Sequence, residues 1–523
     1  MKLKDLNEIE HATEPGRPEL FRLGTAVVFM VGIMLMTSSV IPDTPNGILL
    51  IAAAVIGGYM ALNIGANDVA NNVGPAVGSQ ALTIFWAIVI AALFEASGAI
   101  IAGGDVVGTV KNGIIDPELI NNSDEFIWLM MGALLAASIW LNLATYLGAP
   151  VSTTHSIVGG VLGAGIAAGG TGVADWGQLG QIVSSWVISP VIGGGIAALT
   201  LYLIKRTITY KSNKLEAAER MVPVFIAFMA WAFSTYLIMK GLKKLVKVDF
   251  LVAVLVGLLI AGAVYWLVKK MISKRVPELE NNKQSVSSLF TIPLIFSAAL
   301  LSFAHGANDV ANAVGPLAAI NDAVYTAAIT AKAEIPLWVM LIGAIGISLG
   351  LALYGPKLIR VVGSEITELD QVRAFCVALA AAVTVIIASQ LGLPVSSTHV
   401  AVGAVFGVGF LREVIKRNYA TIIADIRAHH TQNNHTEEDL EKFLVEFEEA
   451  DFEHKDRMIQ TLKQNSMAAG LNKAERKMLK KQHKEQLVRR SALYKIAAAW
   501  VITVPASGIM AAIFYFTIRG MLI

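Results

Sequence analysis

The sequence predicts an all-α, polytopic membrane protein of about 12–13 spans. It is built from two inverted repeats with broken or re-entrant helices and carries a cytoplasmic helical insertion. Three observations lead there. Of 523 residues, 55% are apolar and only 15% charged, where soluble domains carry about 25% charged residues. The apolar residues fall in runs of about 20, the length that crosses the hydrocarbon layer. Two long motifs each occur twice, in the same order and at nearly one offset.

The runs lie at about 23–41, 47–66, 82–101, 126–147, 179–204, 222–239, 250–268, 289–304, 335–354, 374–391 and 493–518. Two segments rich in small residues, about 150–170 and 395–412, complete the count of crossings. The first run is too long for the apolar core of a cleaved signal and has no cleavage site behind it. So much apolar surface excludes a water-soluble enzyme, a disordered scaffold and a secreted disulfide protein. A net charge of +2 excludes a nucleic-acid-binding excess. Cys376 stands alone, which rules out an intrachain disulfide and a cysteine metal site.

Cytoplasmic loops are the richer in Lys and Arg. Lys205, Arg206, Lys211 and Lys214; Lys269, Lys270, Lys274 and Arg275; Lys357, Arg360 and Arg373; and Arg412, Lys416 and Arg417 all fall on one side if the N-terminus is inside and both small-residue segments cross. Lys240, Lys243, Lys244 and Lys247 fall on the other. The predicted organisation is an extension with an extra span (1–46), a first repeat (47–204), linking spans (205–288), a second repeat (289–412), a cytoplasmic helical insertion (413–492) and a final span (493–523). Within the insertion, Thr436-Glu-Glu-Asp439 reads as a helix start. His429, His430 and His435 read first as a solvated loop and second as a metal or regulatory site.

Gly65-Ala-Asn-Asp-Val-Ala-Asn71 recurs as Gly306-Ala-Asn-Asp-Val-Ala-Asn312, displaced by 241 residues and running on to Pro75 and Pro316. Leu147-Gly-Ala-Pro-Val-Ser-Thr-Thr-His155 recurs as Leu391-Gly-Leu-Pro-Val-Ser-Ser-Thr-His399, displaced by 244. A weaker third pair is Trp186-Val-Ile-Ser-Pro190 and Trp500-Val-Ile-Thr-Val-Pro505. On the predicted sidedness, Asp68 and Ser152 lie at cytoplasmic ends of spans and Asp309 and Ser396 at outer ends. The two halves are therefore inverted, which points to a secondary transporter with its site where broken helices meet.

The first motif sets a carboxylate and amides at the end of an apolar helix, with Gly74-Pro75 and Gly315-Pro316 expected to stop any continuation. Asn67, Asp68, Asn308 and Asp309, with Asn71 and Asn312 in reserve, suit a small hard cation. Charge inside a membrane is costly and marks a site; helix capping is the plainer reading. The second motif places hydroxyls at a helix start, where free N–H groups favour an anion: Ser152, Thr153, Thr154, Ser396, Ser397 and Thr398. Ordinary N-capping is again the alternative. His155 and His399 read first as packing groups and second as proton carriers. Glu95, mid-span, is read evenly as a substrate contact or as an interhelical hydrogen bond. Gly98, Ala99, Gly103 and Gly104 read as close helix packing. No Lys or Arg lies in either motif, so a bound tetrahedral anion needs co-bound cations to offset its charge, which couples the two fluxes.

These strings resemble the inorganic phosphate transporter family, which carries both signatures once in each inverted half. The resemblance covers about 47–412 and resumes at 493–518. Val77-Gly-Ser-Gln-Ala-Leu-Thr83 and the string around Glu95 resemble the branch with eukaryotic sodium–phosphate cotransporters. The resemblance implies import of inorganic phosphate by cation symport, sodium favoured, in a homodimer with one site per protomer. It also implies that Asn67, Asp68, Asn308 and Asp309 are cation ligands and that the six hydroxyl residues bind phosphate. Sodium is then a co-substrate and no cofactor is expected; the partners are phosphate, sodium or protons, and the bilayer, without nucleic acid. Ala378 stands where the eukaryotic branch usually has a glutamate, the first run at 23–41 is extra to the family core, and the 413–492 insertion differs from the loop expected of the eukaryotic branch. The placement of the insertion suggests a bacterial relative, hence the inner (plasma) membrane. The competing readings are proton-coupled phosphate symport, a sulfate permease of the same family, an intramembrane hydrolase using Ser152 and His155, and a channel.

Overall fold

The computed structural model describes residues 16–41, 46–104, 106–108, 113–120, 122–149, 151–241, 248–326, 335–364, 369–416 and 490–523, with isolated positions between 417 and 489. Two compact units are present: Met1–Val408 with Arg490–Ile523, and Gly409–Arg489. In the second, Ile423, Ile426, Leu444 and Phe447 are buried. The histidines of the insertion and the helix start at Thr436 lie outside the described residues.

The first unit is helical, with a single isolated bridge, Ile115 to Ala174, among its described residues. Its helices are α1 (Gly16–Val40), α2 (Gly47–Asn67), α3 (Val69–Gly78), α4 (Ile84–Ala102), α5 (Ser123–Leu147), α6 (Thr153–Gly169), α7 (Trp176–Ile204), α8 (Lys214–Gly241), α9 (Phe250–Arg275), α10 (Lys283–Leu289), α11 (Thr291–Thr326), α12 (Leu337–Ser364), α13 (Gln371–Gln390), α14 (Ser397–Lys416) and α15 (Arg490–Leu522). Among the described residues, eleven segments are long and apolar enough to cross a membrane, one for each predicted run. The small-residue segments form α6 and α14, which are not among those eleven.

Local chemistry sets the boundaries. Side chains of Asn122, Asp175, Asp249 and Asp370 accept the first free N–H groups of α5, α7, α9 and α13. Gly148 and Gly392, at φ of +72° and +68°, let the chain leave α5 and α13 in the left-handed region. Each is followed within a few residues by the serine that caps the next helix. Ser152 accepts from His155 N at 3.1 Å and Ser396 from His399 N at 3.2 Å.

Two expectations are corrected. Pro75 and Pro316 do not stop their helices: α3 runs through Pro75 to Gly78, and α11 through Pro316 to Thr326. Packed neighbours make such a proline tolerable in a membrane helix. The only interruption in the first copy is a turn at Asp68 itself, and α11 is continuous through Asp309. The motifs therefore do not sit at opposite ends of spans. Asp68 and Asp309 lie well inside the long segments Gly47–Gly78 and Thr291–Thr326, and the starts of α6 and α14 are buried beside them.

Glycines hold the halves together by exchange. The leading glycine of each first motif faces a helix of the other half. A Cβ at Gly65 would overlap the carbonyl oxygen of Ile347 on α12, and one at Gly306 that of Glu95 on α4. The reciprocal glycines, Gly350 against Leu62 and Gly98 against Phe303, close the same seams. The final helix of each half behaves alike. On α6, Gly159 and Gly163 meet Val504 and Gly508 of α15, while on α14 Gly403 and Gly407 meet Pro190 and Gly194 of α7. Backbone approach of this kind lets van der Waals contact bind helices where lipid removes the hydrophobic drive. The outward faces stay apolar, as at Leu255, Leu259 and Trp266 of α9.

Gly306→Ala forces backbone apart along α4 and should cost about 1–3 kcal/mol or more. A fall of several degrees in the melting temperature of the purified protein, or loss of folded material, is expected. Gly24→Ala, with nothing within 4 Å of the added carbon, should leave it unchanged or slightly raised.

Candidate functional site

The predicted site residues from both halves converge on one buried centre. Asn67, Asp68, Asn71, Ser152, Thr153, Thr154, Asn308, Asp309, Asn312, Ser396, Ser397 and Thr398 are each at most 2% exposed. Two carboxylates so far from water demand donors, since an uncompensated buried charge is costly. The hydroxyls supply them. Thr153 donates to Asp68 Oδ2 at 2.6 Å, and Thr398, from the other half, to Asp68 Oδ1 at 2.9 Å. Ser397 donates to Asp309 Oδ2 at 2.7 Å.

The amides cross between halves. Asn71 donates to Thr398 Oγ1 at 2.8 Å and to Asp68 O at 3.0 Å. Asn312 lies 3.1 Å and 3.2 Å from the hydroxyls of Thr153 and Thr154, and the Thr154 hydroxyl lies 3.2 Å from Val395 O. The Asn71 side-chain oxygen has no donor among the described residues, which leaves it available to a cation.

Asn67 and Asn308 do something else in this geometry. Asn67 donates to Thr145 Oγ1 at 2.9 Å and Ala149 O at 3.2 Å, and accepts from Val151 N at 3.1 Å. It brackets the loop that delivers Ser152. In its best-satisfied orientation Asn308 accepts from the Ser389 hydroxyl and donates to Val395 O and Asp309 Oδ1. Thr145 and Ser389 thus hold equivalent places, which repeat comparison of the motifs alone passed over. Ser152 and Ser396 are N-caps, leaving Thr153, Thr154, Ser397 and Thr398 as the hydroxyls aimed inward.

Glu95 joins the centre through His305, a residue the sequence reading missed. His305 Nδ1 lies 2.7 Å from Glu95 Oε2, and its Nε2 lies 2.7 Å from Asp309 Oδ2. Asn72 donates to Glu95 Oε1 at 2.8 Å. This chain has no mirror image. The first-half counterpart of His305 is Ile64, and the second-half counterpart of Asn72 is Ala313. The signal was a histidine directly before the second Gly-Ala-Asn-Asp and not before the first. Asp68, His305 and Asp309 offer ligand atoms within 4.8 Å of one another, a set able to hold a cation.

Behind the hydroxyls, four rings pack in series, with the two histidines edge to face and His399 stacked on Trp500. His155 lies 3.7 Å from Trp186 and 4.3 Å from His399, and His399 lies 3.5 Å from Trp500, centroid to centroid. The third, weakest repeat pair supplies the two outer rings, and the packing reading of the histidines fits this placement. Ala378 is fully buried on α13.

Removing His305 strips Glu95 Oε2 of its buried hydrogen-bond partner and leaves a gap beside Asp309, a loss of about 1–3 kcal/mol. His305→Ala should lower the melting temperature strongly. Glu95→Gln in that background should recover part of the loss, a coupling read by a double-mutant cycle.

The chain as a whole is similar to known proteins. The model of the phosphate transporter family matches residues 64–511. A protein of Helicobacter pylori named "Putative phosphate permease" is 50% identical over 525 residues, covering 98% of each chain. One of the same name from Chlamydia trachomatis is 38% identical over 401 residues, covering 72% of this chain and 93% of its own. A solved structure described as the sodium-dependent phosphate transporter superposes with a TM-score of 0.73 at 32% identity, covering 91% of this chain and all of that one. Spanning most of the chain, with both duplicated motifs inside the matched region, these likenesses establish that the chain belongs to the phosphate transporter family.

Proposed function

We propose that the protein imports inorganic phosphate by cation symport, with sodium as the driving ion, through alternating access at the Asp68–Asp309 centre. The observation that carries this reading is the crosswise meeting of two hydroxyl-rich helix starts with two buried carboxylates. Phosphate needs donors, and among the described residues no Lys or Arg pairs with Asp68 or Asp309. The hydroxyls of Thr153, Thr154, Ser397 and Thr398, with the N–H groups at the starts of α6 and α14, are the donors. Each carboxylate already receives hydroxyl protons. A sodium ion arriving at Asp68 or Asp309 takes over those oxygens and turns the hydroxyls toward phosphate. Cation and anion then stabilise one another, and neither binds well alone. Asn71 and Asn312 link the hydroxyls across the halves, while Asn67 and Asn308 hold the loops in register.

Rocking of the halves uses the glycine seams, where helices slide on backbone rather than on interlocked side chains. Phosphate retains a donor proton near neutral pH and sulfate does not, so a site with carboxylate acceptors selects phosphate. A second reading, proton coupling, is favoured by one observation: His305 spans Glu95 and Asp309 and provides a route between a buried acid and the centre.

Radiolabelled uptake into proteoliposomes, with sodium and proton gradients imposed separately and excess sulfate as competitor, tests the proposal. Uptake that requires inward sodium and resists sulfate is the expected result. Uptake that follows protons and ignores sodium moves the assignment to the second reading. Folded protein with no phosphate uptake under either gradient sinks both. Asp68→Asn and Asp309→Asn should each abolish sodium-dependent uptake. Thr398→Val should raise the phosphate KM roughly tenfold, the loss of one hydrogen bond to a charged group.

A further inference from the structure

A cluster of basic side chains lies at one end of the bundle, away from the Asp68–Asp309 centre. The connections α7 to α8, α9 to α11 and α12 to α13 meet there around a cavity of about 140 Å³. Four cationic side chains line it, Lys205, Lys214, Lys283 and Arg373, against one carboxylate, Asp370. That carboxylate is already committed: it accepts from Arg373 N at 2.9 Å and pairs with the Arg373 guanidinium at 3.3 Å. Lys214 and Lys283 face no carboxylate within ion-pair distance among the described residues.

Like charges do not gather in a small cavity unaided, because their repulsion grows as water is excluded. Here construction holds them. Lys205 opens a π-helical turn, Lys205–Thr209, that widens the end of α7, and such turns concentrate at functional sites. Asn281 accepts from Lys214 N at 2.8 Å and donates to Ser212 O at 2.9 Å, tying the start of α8 to the chain ahead of α10. Ser287 donates to Gln371 at 2.5 Å, which ties α10 to α13. Lys205 also sits over the ring of Tyr210, 5.9 Å from its centroid.

We propose that this cavity binds a phosphate group. Arg373 offers the planar fork that matches phosphate oxygens, and the three lysines add point charges around it. The volume, several times the roughly 30 Å³ that a water molecule occupies in the liquid, admits a tetrahedral oxyanion. The cavity lies beside the ends of the segments Trp176–Thr209, Lys214–Lys240 and Gln371–Gln390, so two sources share this chemistry: the headgroup of an anionic lipid, and free inorganic phosphate acting as a regulator on that face. No residue of the cavity belongs to the transport centre.

Lysine footprinting tests it. The full chain in nanodiscs is labelled with an amine-reactive ester, and Lys214 and Lys283 are quantified by mass spectrometry against exposed Lys274 on α9. Three conditions are compared: phosphatidylcholine alone, phosphatidylcholine with phosphatidylglycerol, and phosphatidylcholine with inorganic phosphate. Labelling of Lys214 and Lys283 should fall roughly fivefold relative to Lys274 in the second or third condition, as for a site about four-fifths occupied. A fall in the second identifies a lipid headgroup, and a fall in the third identifies free phosphate. In Lys214→Gln, or in Arg373→Gln should that variant fold better, the protection of Lys283 should be lost. Labelling that stays level in all three conditions, or that falls equally at Lys274, overturns the proposal.

Discussion

Everything in this molecule turns on keeping two carboxylates, Asp68 and Asp309, in a place that water does not reach. An anion there is tolerable only with donors aimed at it, and the donors come from a segment more than eighty residues further along in each half. To bring Thr153 and Thr398 onto one aspartate, the chain must break α5 from α6 and α13 from α14 at the same depth. It must also press the halves together until backbones touch. The glycines at Gly65, Gly98, Gly306 and Gly350 are therefore part of the electrostatics. Without them the seams open, and the hydroxyls move out of reach of the charge they compensate.

The duplication is faithful in its framework and unfaithful at one point. Hydroxyl to carboxylate, amide to hydroxyl and ring to ring recur in both halves. The Asn72–Glu95–His305 chain exists once, beside Asp309. A symmetric pair of carboxylates would give two equivalent cation sites. The chain makes them inequivalent: Asp68 accepts from two hydroxyls, whereas Asp309 accepts from one hydroxyl and the Asn308 amide and lies beside the His305 imidazole. Under the proposed symport, order of binding and preference for a cation can differ between the two without any change in the repeated motif.

All eleven long spans were legible, because hydropathy reports directly what lipid requires. So were the hydroxyl helix starts, since a proline followed by serine and threonine has few other uses in an apolar run. Depth was not legible. Whether Pro75 or Pro316 ends a helix depends on neighbours that re-satisfy the backbone, and those neighbours are distant in sequence. The roles of Asn67 and Asn71 could not be separated by pattern, since the two are four residues apart in one string. One turned out to hold a loop and the other to face the hydroxyls. His305 left a trace, a mismatch between otherwise matched copies, and differences between repeats proved as informative as their likeness. The charged cavity drew on loops that sidedness alone had placed on one face, but their meeting at a single point is a tertiary fact.

The exchange of final helices has a consequence for how the protein is made. Gly163 on α6 closes against Gly508 on α15, and hundreds of residues must be synthesised between them. At about 5–20 residues per second, α6 waits of order half a minute for the surface it packs on. Throughout that time Gly159 and Gly163, on the face of α6 that meets α15, lack their partner helix. The insertion machinery, or a temporary neighbour within the chain, has to shelter them. Assembly of this fold thus depends on α15, and errors in that helix unmake a site encoded hundreds of residues before it.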